Sequence, residues 1–562
     1  MIFSLISKAV TPRPSPSHSA HWDRCFLRVC LGVPCAVLLL FFVLPMSVVV
    51  WRSVLDDGSG TPGWGNYAAL LHTPRLAQAL AGSLALGGAT TAIAVGLGFV
   101  VAYGIERCAL PGRRLLALSM SLPVLAPSLV LGLGLIFLLG RNGLLARLTG
   151  TRPDIYGFWG VLIADVIYAL PEAVLILRAA LRRAERRQYE AAEMLGAGAW
   201  QRLRDITLPG ARYGLLSAAF VVFTVTVTDF GNAVVIGGNY PLLANEIYNQ
   251  VSGQMRFGLG AVLGMLLMLP ALLSVWIERL EAKGGGMDAG GAGQGMPWRT
   301  ARDVPIGCLC LGLAALIVAV MASVVAASFV QLWPYRFVPT LRHYTLGLSN
   351  GFASLWLSMR ISALVALAGT GLLFLMAFAI RQGPGRLARG CHALASTPVS
   401  VPGLVLGLAY ALTFNSAWFP WPMWYGSAAL VAACNLIHYL TQAYAIVSTG
   451  MRRLPRALED AVSVLGGGPV QQLRDLYRPA LAVTLASVAA FLFMRSMVTL
   501  SAVIFLVTPD LPLAAVTVMR LDEAGLTSQA AAFSTCIMVA VGAVAALLHT
   551  LVQRSARGVP RD

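Results

Sequence analysis

The residues able to do chemistry are few, and several sit where charge is costly. Asp165, Glu172, Asp229 and Arg495 lie inside long apolar stretches, and His438 and Gln442 lie in another. An ionisable side chain in hydrocarbon costs roughly 3 kcal/mol or more, so such residues are functional candidates wherever the stretches span a membrane. Asn232 and Thr499, close in sequence to Asp229 and Arg495, complete the candidate set. Arg495 has two readings. It faces a path between helices and helps an anion along, or it pairs with a carboxylate and holds helices together. Gly231, Gly237 and Gly238 imply that the helix carrying Asp229 ends soon after it, which makes Asp229 a helix-end or loop ligand.

Other chemistry is missing. No Gly-x-x-x-x-Gly-Lys-Ser/Thr occurs, and the only lysines are Lys8 and Lys283, so the chain has no loop to cradle nucleotide phosphates. No Ser/His/Asp arrangement stands out. The nine cysteines (Cys25, Cys30, Cys35, Cys108, Cys308, Cys310, Cys391, Cys434 and Cys536) mostly fall in or beside apolar stretches without zinc-site spacing. They read as small hydrophobes, with neither a disulfide framework nor a metal. An enzyme is not expected.

The elements that must position these residues are membrane helices. Of 562 residues, 57% are hydrophobic and only 12% charged, about half the charge of a soluble domain. A hydrocarbon core of about 30 Å takes roughly 20 helical residues. Apolar blocks of that length recur at 27–50, 80–104, 116–139, 157–179, 214–237 and 257–277, then at 304–329, 356–380, 392–414, 427–449, 483–507 and 529–551. The expected fold is an all-α integral membrane protein of about twelve helices in two six-helix halves, 25–280 and 304–552. Residues 1–24 and 553–562 read as tails, the first of them disordered, and 281–303 as a glycine-rich linker.

Charge sets a topology. The net charge of +17 is nearly all arginine. Arg107, Arg113, Arg114, Arg178, Arg182, Arg202, Arg204 and Arg212 fall on one side of the first half, and Arg381, Arg386, Arg389, Arg452, Arg453, Arg456, Arg474 and Arg478 on the same side of the second. The opposite loops carry only scattered ones such as Arg75, Arg141 and Arg342. This positive-inside bias puts both termini in the cytoplasm. The arginines form no single patch, which argues against nucleic-acid binding.

The halves repeat. Ser121-Leu-Pro123-Val-Leu-Ala-Pro127 aligns with Ser396-Thr-Pro398-Val-Ser-Val-Pro402 at an offset of 275, and Gly196 to Pro209 aligns with Gly466 to Pro479 at an offset of 270. A loop shortened near 141–156 accounts for the difference of five. Both halves enter the membrane from the same side, so the repeats are parallel. A path between two such halves is the expected purpose.

One loop of each half carries a motif. The first reads Glu190-Ala191-Ala192, three residues, Gly196, nine residues, then Ile206-Thr-Leu208-Pro209. The second reads Asp460-Ala461-Val462, three residues, Gly466, nine residues, then Leu476-Tyr-Arg478-Pro479. The pattern predicts helix, glycine break, short helix, proline stop, with Pro469 in the first turn of the second short helix. Trp200, Leu203 and Ile206 form an apolar stripe, repeated by Val470, Leu473 and Leu476. Such a helix suits a partner's groove, or a lipid surface.

The first copy resembles throughout the loop signature of permeases of binding-protein-dependent ABC importers, and the six-helix plan extends the likeness over nearly the whole chain. The second copy departs at Asp460, Val462 and Arg478. The resemblance implies a type I importer fold. Two ATP-binding cassette subunits would each take one loop as a coupling helix, holding ATP and magnesium that this chain does not bind. A periplasmic binding protein would dock on loops 239–256, 331–353 and 508–528. Two stretches, Thr228-Asp229-Phe230-Gly231 and Arg495-Ser-Met497-Val-Thr499, resemble fused permeases for 2-aminoethylphosphonate, relatives of ferric-iron and thiamine permeases. The second departs from the Glu-Leu-Pro of iron permeases, which favours a phosphonate-type anion. An ion-coupled secondary transporter using Asp165, Glu172 and Asp229 is the rival class, and it leaves the paired loops unexplained.

Overall fold

The computed structural model describes residues 16–183, 186–284, 300–345, 352–383, 385–416, 419–420 and 422–557. Nine helices among these are long and apolar enough to cross a membrane, or eleven if two bent pairs each count as one. The remaining expected span, the sixth, falls in the helix Phe257–Gly284, whose apolar part Phe257–Pro270 is shorter.

Each half exchanges its first helix with the other. Leu44–Val54 packs on Gly403–Phe414 of the second half, and Thr300–Ser328 packs on Leu129–Leu139 of the first. At the second crossing the backbone of Val320 lies against Gly134, where a methyl group would collide with it, and Ser323 donates to the Gly134 carbonyl at 3.1 Å. At the first, Tyr410 donates to the Phe41 carbonyl at 2.7 Å. Close approach and one internal hydrogen bond per crossing are what hold helices together where lipid removes the hydrophobic contrast. Within the first half, Gly98 rests on Ala173 as Pro74–Arg107 lies along Phe158–Arg183. The repeat is visible in loop lengths too. Eighteen residues separate Leu139 from Phe158 and thirteen separate Phe414 from Ala428, the difference of five that the offsets require.

The structure departs from the hydropathy reading in four places. The third and ninth spans are broken, at Leu122–Leu125 and at Pro398–Ser400, and the ninth bends by 109°. Pro123, Pro127, Pro398 and Pro402 withhold the N–H groups that a continuous helix needs. The fifth span ends at Thr228 and the eleventh at Val498, well short of 237 and 507. The chain then turns inward as short buried pieces, Gly231–Ile236, Leu243–Tyr248 and Ala514–Glu523. Much of 239–256 and 508–528, expected as docking loops, is therefore packed inside, with 252–256, 509–510 and 523–526 among the parts left at the surface. The first described helix, Pro16–Leu38, already covers the end of the expected disordered tail, whose residues 1–15 lie outside the described ones. Helices also run to Gly284, from Thr300 and to Arg557, so they take up the edges of the expected linker and C-terminal tail.

The cysteine reading needs one correction. Cys35 and Cys391 are joined as a disulfide with Cα atoms 5.9 Å apart, linking the first helix to Arg386–Ala395. Their separation of 356 residues hid the pairing. A hairpin pairs Val330 with Pro339 and Leu332 with Arg336. Its Trp333 donates to the Phe137 carbonyl at 2.9 Å, and Arg147 donates to the Pro334 carbonyl, so the second half is strapped to the first.

Candidate functional site: paired loops and a central cavity

The two motif loops lie on one face and share a backbone. Glu190, Ala191 and Ala192 lie in the helix Arg186–Met194, and Asp460 and Ala461 in Arg456–Val464. Gly196 and Gly466 follow with φ of +78° and +79°, a region that disfavours side chains. The next turn is capped alike in both copies: Gly198 donates to Gln201 Oε1 at 2.9 Å, and Gly468 to Gln471 Oε1 at 3.1 Å. Pro469 takes the first helical position as expected.

Pro209 and Pro479 are not stops. Wide turns at Leu203–Thr207 and Gln472–Tyr477 carry the chain past them. The Leu208 N–H bonds back to Leu203, five residues away, and this shift of register absorbs the missing proline donor. In the first half the helix then runs on unbroken from Ala199 to Thr228, and in the second it bends by 75° after Ala480.

Of the predicted stripes, Trp200 is 70% exposed and Val470 48%, while Leu203, Ile206, Leu473 and Leu476 are half-buried, the last two against the main core. The most exposed apolar side chains of the two loops are others: Met194, Leu195, Val464 and Leu465, all at 80% or more. They precede the two glycines at equivalent positions, and that duplication was the signal available in the sequence. Each loop is braced internally. Arg202 pairs with Glu193 at 3.2 Å, and at the equivalent positions Gln472 donates to Ser463 at 3.0 Å.

Arg381 braces the second loop from behind. It pairs with Glu459 at 2.5 Å and donates to the carbonyls of Met451 and Leu454. Both charged side chains are largely buried. Alanine at Arg381 leaves Glu459 uncompensated, a loss of about 3–5 kcal/mol. The thermal midpoint of Arg381→Ala in detergent is expected to fall markedly, and adding Glu459→Gln to recover part of the loss.

Between the halves lies a cavity of about 370 Å³. Its walls come from equivalent positions. Glu172 and Gln442 face it, as do Tyr168 and His438, Asp229 and Thr499, and Val225 and Arg495. Asp229 and Thr499 both close their helices in extended backbone, with φ, ψ of −70°, 126° and −68°, 125°. Asp229 accepts from the Asn232 N–H at 2.8 Å. Thr499 shares a hydrogen bond with Tyr439 at 2.8 Å. Arg495 Nη2 meets Glu172 Oε1 at 2.5 Å, an ion pair between the halves. Arg495 thus lines the cavity and pairs with a carboxylate across it.

Asn232 does not line this cavity. It is buried, and its amide donates to Asp165 Oδ1 at 2.9 Å, so both residues belong to the packing behind the wall. The equivalent of Asp165 is Asn435, whose amide donates to Ser496 at 2.8 Å. The cavity also takes in Ser128, Thr224, Thr228, Thr441 and Ser501, which the search for ionisable groups passed over.

A profile of the family described as "binding-protein-dependent transport system inner membrane component" matches residues 94–283. The molybdenum transport system permease protein ModB of Azotobacter vinelandii is 32% identical over 30% of this chain and 76% of its own length. The chain belongs to this family. Similarity extends through both halves: the ferric transport system permease protein FbpB of Actinobacillus pleuropneumoniae is 26% identical over 90% of this chain and 76% of its own. The thiamine transport system permease protein ThiP of Brucella abortus is 30% identical over 45% of this chain and 50% of its own. The chain is thus a multi-pass inner-membrane permease of a binding-protein-dependent ABC importer, with the type I fold in two halves.

Proposed function

We propose that this permease moves a small solute carrying both signs of charge, of the 2-aminoethylphosphonate type, into the cytoplasm by alternating access. The arginine-rich loop face is then cytoplasmic, with both chain ends on that side. One ATP-binding cassette subunit docks on each motif loop and hydrolyses ATP there, with magnesium. The binding protein delivers solute to the opposite face. Closure of the ATPases moves the loops, and the halves rock around the cavity, a population shift driven by differential ATP binding.

The observation that carries the substrate reading is the cavity itself. A guanidinium on one wall faces carboxylates on the other, with Arg495 against Glu172 and Asp229 nearby on the same lining. Ferric iron is the second reading, favoured by the relative that matches along 90% of the chain. It would use Asp229 and Glu172.

Uptake into proteoliposomes holding the permease, its ATPase and its binding protein separates the two. Labelled 2-aminoethylphosphonate is expected to enter with ATP, uncompeted by ferric iron or thiamine. Uptake of iron instead would keep the importer and replace its substrate. If no solute enters with ATP, the importer reading fails as well.

A further inference from the structure

The Glu172–Arg495 contact is made through one nitrogen and one oxygen. A guanidinium has five donors in a fixed fork and binds carboxylate or phosphonate best through two of them. Among the described residues, no other hydrogen bond from this guanidinium is seen. The Tyr439 and Phe491 rings flank it at 5.9 Å, and the side chain is 16% exposed beside the cavity. Donors therefore remain open on the cavity side. Nor does the fold require the pair. At the equivalent place in the other half stand Gln442 and Val225, which cannot form one, and they line the same cavity.

We propose that Arg495 is an anion subsite and that Glu172 is its built-in competitor, holding the guanidinium while the path is empty and yielding it to an incoming phosphonate or carboxylate group. The inference rests on the permease reading. It adds a mechanism of restraint: in the empty state one carboxylate both neutralises the arginine and ties the halves. A solute anion replaces that contact with a two-point one. Glu172, once released, remains on the opposite wall with Asp229, where a solute's ammonium group would find it.

Competition of this kind lowers apparent affinity by the fraction of time the site is free. The test is calorimetric titration of methylphosphonate into the detergent-solubilised complex of permease and ATPase subunits. Arg495→Gln keeps the ATPase sites and gives the background. Glu172→Gln and, as a second variant of different packing, Glu172→Ala are each expected to bind roughly 10-fold tighter than the native complex. A merely structural pair predicts the reverse, since its loss loosens the cavity. Binding unchanged or weakened in both variants overturns the proposal. The substrate reading fails separately: tighter methylphosphonate binding in Glu172→Gln alongside iron-only uptake by the native complex would retain the subsite and reject the phosphonate.

Discussion

Valine in place of Gly196 is expected to cut ATP-driven uptake by about 5–30-fold while the permease still folds and inserts. At this position a Cβ would meet nothing within 4 Å, so the effect is not steric crowding. It comes from φ of +78°, which costs a non-glycine residue roughly 1–2 kcal/mol, and a β-branched one most. That energy is a factor of about 5–30 between the native turn and alternatives. The turn sets the angle between Arg186–Met194 and the capped turn that begins at Ala199. Motion of an ATPase would be transmitted through that angle, so a loosened turn should let hydrolysis run without transport. Asparagine tolerates this region better, so uptake should rank Gly, Asn, Ala, Val. Uptake and phosphate release, measured together in proteoliposomes, check the order. Uptake per ATP that stays native in Gly196→Val would remove the coupling role of the turn.

Much of this was legible because membrane helices and repeats write themselves in long blocks. Apolar length gave the spans, the offsets gave the halves, and glycine at 196 and 466 gave two turns that prove nearly identical in backbone. Three things were not legible. After Asp229 and Thr499 the chain stays apolar, so hydropathy continues although the helix does not. In the first half Gly231, Gly237 and Gly238 hint at the break, but no glycine lies between Thr499 and Val507. The partner of Arg495 is 323 residues away in the other half, and charge alone does not say which of several carboxylates it finds. Finally, a helical stripe at every third residue marks Leu203 and Ile206 without telling which side faces the protein. They are half-buried, and the most exposed apolar surface of the loop falls to Met194 and Leu195 on the turn before.

That displaced surface leads to the second large effect. Met194, Leu195, Val464 and Leu465 are exposed by 80–87% on the arginine-rich face, two on each loop at equivalent positions. Duplicated apolar pairs held beside fixed turns fit a partner present twice, as the two ATPase subunits proposed above would be. Each side chain buried at such a contact contributes about 1.5–3 kcal/mol. Aspartates at Met194 and Leu195 together forfeit both contributions and add charge to the interface, so one ATPase should bind at least about 100-fold more weakly. Val464→Asp with Leu465→Asp should do the same to the other. Because all four are exposed, the thermal midpoint of the permease alone should not move. Co-purification of ATPase with each variant measures the grip, and the two results need not match. The second loop carries Asp460, Val462 and Arg478 where the first carries Glu190, Ala192 and Leu208, yet it repeats the glycine turn and the glutamine cap. If the backbone frame governs docking, both pairs lose their ATPase equally. If the side chains govern it, the first pair should matter more. Retention of both ATPases in both variants would instead hand these residues to the lipid surface.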